Sequence, residues 1–211
     1  MTDKPMRIRR CSSIRWRGLL LLLGLMLALS ACAGPHRSAD VLRRFALGRI
    51  QAYDLPFGWS RSLDYTHDVS GAFGELVTFY GANMDTHSFV NVSQIIYIYD
   101  SEAASRADYA TRVTDGFPAG VPDLWKPPAD LIPPQQADEA QLACKFNTIN
   151  DIPIWTCVVV ARYGSAIMEL QGHIFEERWM TVPQFQVVIN RLDAKMALIR
   201  APLDGTLTPT P

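Results

Sequence analysis

Cysteine and histidine are scarce in this 211-residue chain, at four each. No two cysteines form a C-x-x-C pair, so the thiols lack the spacing of a zinc site. Also absent are G-x-S-x-G, S-x-x-K and a helix-borne H-E-x-x-H, which removes the hydrolase classes built on those motifs. No long apolar run occurs either. The run Gly18 to Leu29 holds 12 residues, short of the roughly 20 that a spanning helix needs. Nor is there an excess of positive charge: 20 Lys and Arg stand against 21 Asp and Glu. Residues 1–31 hold six of those bases and one of those acids, so the remainder carries 14 bases and 20 acids, a formal net charge of −6. A mildly acidic domain argues against a nucleic-acid partner and against an electrostatic grip on anionic lipid.

What is present is concentrated at the start. Lys4, Arg7, Arg9, Arg10, Arg15 and Arg17 precede the apolar run, which closes on Leu29-Ser30-Ala31-Cys32. A basic start, a short apolar stretch and small residues are the three parts of a secretory signal. The cysteine directly after them makes the segment resemble the lipobox of bacterial lipoproteins. That resemblance covers the first 32 residues. It implies cleavage before Cys32, acylation of its thiol and new N-terminus, and residence on the extracytoplasmic side of a membrane. Two or more acyl chains anchor stably where one holds only marginally. Ala33 stands where an inner-membrane retention Asp occurs in enteric lipoproteins.

The remaining 180 residues suit one domain. The sequence divides into a signal (1–31), a tether with a short helix (32–54), an α+β domain (55–200) and a Thr- and Pro-rich tail (201–211). In the tether, Val41, Leu42, Phe45 and Ile50 give the helix an apolar side, with Arg43, Arg44 and Arg49 elsewhere. Strand patterns cover 59–66, 73–80 and 89–99. The last is β-branched and apolar on both faces, as a central strand covered on both sides would be. Asp100 or Ser101 caps a helix to about Thr114, with Ala103, Ala104, Ala107 and Ala110 allowing close packing.

Three further strands follow, over 140–147, 152–163 and 166–176. In the last, Ala166, Met168, Leu170 and Ile174 alternate with Glu169, Gln171 and His173, the pattern of a half-exposed strand. A final helix over 182–200 has Thr181 and Gln184 as a capping box. Its apolar stripe is Phe185, Val188, Ile189, Leu192, Met196 and Ile199. The expected fold class is therefore α+β: an antiparallel sheet of about six strands in two three-strand units, each followed by a helix, with the C-terminal amphipathic helix packed on the sheet. In element order alone this is similar to PsbP-like sandwiches.

Asn150-Asp151 is a turn dipeptide. Centring a hairpin on it sets Leu142 opposite Val159, Phe146 opposite Trp155 and Cys144 opposite Cys157. Cys144 and Cys157 are the two cysteines left after the signal and the lipid site, in a compartment that permits oxidation, so a disulfide is expected. Residues 116–136 carry six of the 14 prolines together with Phe117, Val121, Leu124, Trp125, Leu131 and Ile132. A long loop of that apolar content suggests an ordered binding segment. Trp125 with Leu124, Phe117 and Ile132 is its candidate contact surface. His67-Asp68 and Asp85-x-His87 are the acid–imidazole groups from which a metal site would be built, in loops between early strands.

These features point to a lipid-anchored extracytoplasmic module that binds an envelope protein or a small apolar ligand. It calls for no cofactor. A ligand carrier or sensor is the first alternative, and an envelope hydrolase with a metal at His67, Asp85 and His87 the second.

Overall fold

The computed structural model describes residues 39–69, 72–81, 91–117, 125–149, 152–175 and 180–200. Residues 39–200 fold as one compact unit. Its helices are α1 (Ala39–Gly48), α2 (Glu102–Gly116) and α3 (Val182–Leu198), with a short 3-10 turn at Ala52–Asp54. Its strands are β1 (Ser60–Val69), β2 (Ala72–Tyr80), β3 (Asn91–Tyr99), β4 (Glu139–Ile149), β5 (Ile152–Tyr163) and β6 (Ala166–Ile174). They form one antiparallel sheet in the order β1-β2-β3-β6-β5-β4. The fold is α+β. Two β-β-β-α units meet where β3 pairs with β6, and the C-terminal helix α3 packs on the sheet.

Alternation assigns the two faces of the sheet. Val92, Ile96 and Ile98 of β3 and Ala166, Met168, Leu170 and Ile174 of β6 face α1 and α3, and all are buried. The α3 stripe Phe185, Val188, Ile189, Leu192, Met196 and Ile199 is fully buried against them. Helix α3 begins where its cap dictates: Thr181 Oγ1 accepts from the Gln184 amide, and Gln184 Oε1 accepts from the Thr181 amide at 2.8 Å. Gly172 of β6 is where α3 comes closest. A Cβ there would overlap the Phe185 ring, so only glycine lets the helix sit down. Gly164 turns β5 into β6 at φ +55°, a conformation that glycine adopts without strain.

Helix α1 belongs to the core rather than to a tether. Phe45 meets Phe73 edge-to-face at 4.8 Å, and Ile50 is wholly buried. Residues 39–54 thus pack as part of the same compact unit as the residues after Leu55. Arg44 departs from the polar side expected for it: it is 2% exposed. Its Nε and Nη2 donate to the Ile199 carbonyl at 3.1 and 2.7 Å, and Nη2 donates to Ser165 Oγ at 2.8 Å. Buried Gln94 accepts from the Ile50 amide and donates to the Gly48 carbonyl, satisfying the end of α1. Arg49–Glu75 and Lys195–Asp54 ion pairs close the rim.

The β4–β5 hairpin has the expected register. Leu142 pairs with Val159, Cys144 with Cys157 and Phe146 with Trp155. The Cys144–Cys157 disulfide is formed, with Cα atoms 4.0 Å apart, and both residues are fully buried. For a loop of about 14 residues the chain-entropy model gives a stabilisation of about 3 kcal/mol. Reduction is expected to lower the melting temperature while leaving the domain folded, because the core is continuous without the bridge. Intact mass after alkylation checks this: no label on the mature domain before reduction and two after it.

Candidate functional site

The opposite face of the sheet is covered by α2 alone among the described helices. Ser101 caps α2 by accepting from the Ala104 amide at 3.2 Å. Close packing through a row of alanines does not occur: Ala103, Ala107 and Ala110 are exposed. The side of α2 turned to the sheet carries Ala104, Ser105, Asp108, Tyr109, Arg112 and Val113. It is anchored by polar contacts, with Ser105 Oγ donating to the Gly164 carbonyl and Tyr109 Oη to the Val160 carbonyl. Ala104, Tyr109 and Val113 pack on the sheet beside these bonds, and a cavity is left next to them.

The cavity has a volume of about 470 Å³ and lies beneath the C-terminal end of α2. Leu76, Ile95, Tyr97 and Val158 form its apolar lining, and Ser93, Arg112, Asp115, Glu169 and Gln171 bring polar groups to it. Arg112 is already engaged. Its guanidinium lies 4.0 Å over the Tyr97 ring, and its Nε donates to Asp108 Oδ2 at 2.8 Å. Asp108 also accepts from Tyr99 Oη at 2.5 Å. Ser93 shares its hydrogen bond with Thr78 at 3.1 Å.

Glu169 is different. Its cross-strand neighbours are Ile95 and Val160, both apolar. Among the described residues no cation forms an ion pair with it and no donor hydrogen-bonds to it. Burial pushes its carboxyl up to about 7, Arg112 pulls it down, and Asp115 and Asp108 push it further up. The folded state therefore binds a proton here that the unfolded chain, titrating near 4.5, has already lost. This group's contribution to stability falls as pH rises between those two values. A half-buried carboxyl without a partner is the kind of group found in functional sites.

Sequence patterning marked Glu169, Gln171 and His173 as solvated, because alternation cannot reveal a helix arriving from elsewhere in the chain. Only Gln171 is exposed. Burial holds His173 below the usual imidazole value, and its Nδ1 accepts from the Asn91 amide at 3.5 Å.

Of the expected contact residues, Phe117 and Trp125 come together on this face, edge-to-face at 6.3 Å. They pack against the Val158, Val160 and Ile167 cluster rather than forming an exposed patch. The Trp125 indole Nε1 is buried without an acceptor among the described residues. Ile132 lies across the sheet, its amide donating to Gln186 Oε1 of α3 at 2.8 Å. Leu124 lies outside the described residues, as do Asp85 and His87. The backbone of His67 and Asp68 is in β1, paired with Gly74 and Phe73, and not in a loop. Among the described residues no His, Cys, Asp and Glu group has the arrangement of a metal site, and no helix is long and apolar enough to cross a membrane. No protein-family model, curated protein or solved structure matches the chain.

Proposed function

We propose that this protein is a lipid-anchored extracytoplasmic binding module whose ligand site is the cavity between α2 and the sheet. The anchor rests on the order of basic segment, short apolar run and Leu29-Ser30-Ala31-Cys32. The observation that carries the binding role is the cavity itself: about 470 Å³, within the range of small-molecule sites, with apolar walls and a few convergent polar groups. Its polar groups do not form a nucleophile–base pair, since Ser93 is bonded to Thr78 and Arg112 to Asp108. This favours holding a ligand over transforming one.

Native mass spectrometry of the intact, detergent-solubilised protein tests the site. The wild type is expected to carry a small-molecule adduct. Ser93→Trp, which fills the cavity from β3, is expected to lose it while keeping the same lipid mass. An adduct retained by Ser93→Trp overturns the assignment of the cavity, and so does the absence of any bound or titratable ligand in the wild type.

A further inference from the structure

Resting on that reading of the cavity, we infer that its ligand is an organic cation: an ammonium group on an apolar body, with the cation set against Glu169. The argument starts from charge. Arg112 is the one cation among the lining residues, and Asp108 neutralises it while Tyr97 stacks beneath it. Among the described residues neither Glu169 nor Asp115 then has an ion-pair partner, and the one cation acting on Glu169 is this same Arg112, already shared with Asp108. A carboxylate between Ile95 and Val160 has lost much of its hydration, and among the described residues no donor hydrogen-bonds to it in return. An entering ammonium group supplies both the charge and the hydrogen bonds that are missing. The opposite choice fails on the same grounds, because an anion would meet two uncompensated carboxyls and a guanidinium that is already occupied.

The rest of the lining fits the apolar body. Leu76, Ile95 and Val158 offer aliphatic surface, and the rim of Tyr97 adds an aromatic one. The site is also responsive to pH. Glu169 is faced by Arg112, Asp115 and Asp108 from α2 and by Tyr97 from β3, and its β5 neighbours Val158 and Val160 carry no charge. Protonating Glu169 removes the counter-charge, so affinity for a cation falls as pH drops below about 7.

Three probes of one shape decide the matter: hexylammonium, 1-hexanol and hexanoate, titrated calorimetrically into the full-length, detergent-solubilised protein. At about pH 8 hexylammonium is expected to bind at least about tenfold tighter than 1-hexanol, with hexanoate weakest. Its affinity should drop by about tenfold for each pH unit below Glu169's titration. Glu169→Gln is expected to abolish both the preference for the amine over 1-hexanol and the pH dependence. If 1-hexanol binds as well as the amine, or if the amine preference survives in Glu169→Gln, the cation assignment is wrong and the cavity stands. If no probe binds, or if binding persists in Ser93→Trp, the cavity is not a ligand site and both readings fall together.

Discussion

Replacing Cys32 with Ser is expected to move the protein almost entirely from the membrane fraction to the soluble one, or to leave an uncleaved, unlabelled precursor. On the proposed lipid anchor the effect is large because the acyl groups supply the hold on the membrane. Each buried methylene contributes about 0.8 kcal/mol, so two or three chains bind far more tightly than any surface contact. The domain that follows carries a net charge of −6, which repels anionic headgroups rather than drawing them in. Among the described residues no helix is fit to span a bilayer. Metabolic labelling with palmitate, read alongside fractionation, checks the result. Equal label on wild type and Cys32→Ser removes the lipoprotein reading.

Asp193→Ala should be among the most damaging single changes within the domain. Asp193 is 5% exposed and accepts from Tyr163 Oη at 2.8 Å and from the Gln135 and Gln136 amides at 2.9 and 3.0 Å. Burial and the Asp193 carboxylate together push the Tyr163 phenol far above its ordinary range, so the hydroxyl stays a donor. Alanine strands all three donors, at a cost of about 2–4 kcal/mol. For a domain of this size that lowers the melting temperature by about 5–15 °C. It also frees the proline-rich segment, whose backbone is tied to α3 through this carboxylate, so proteolysis between Trp125 and Gln136 should accelerate. Asp193→Asn, which keeps one acceptor oxygen, should lose less. An unchanged melting temperature in Asp193→Ala would show that the three bonds contribute nothing net.

The parts of this fold written in local pattern were legible in the sequence. Thr181 and Gln184 announce the start of α3 because a capping box involves four consecutive residues and nothing else. The Cys144–Cys157 register follows from one turn and a period of two. What depends on distant partners was not legible. Arg44 reads as a solvated cation until Ile199 and Ser165 arrive to accept from it. Glu169 reads as the outer face of a strand until α2 is laid over it. Trp125 was marked by its proline-rich surroundings, and it does sit on the face that holds the cavity. Ile132, seven residues on, serves the other face through α3, because the segment passes from one side of the sheet to the other.

The junction of β3 with β6 has a consequence for biogenesis. A chain delivered from its N-terminus presents β1, β2 and β3 as a three-stranded meander whose inner edge, Val92 to Ile98, has no neighbour until residues 166–172 emerge. Helix α1 waits longer still: Arg44 finds its acceptors only at Ser165 and Ile199. The first half therefore remains an open apolar edge, prone to pairing with another chain, until nearly the whole polypeptide has been delivered. The β3–β6 pairing and the Arg44 contacts thus make the first half of the domain depend on residues at its far end.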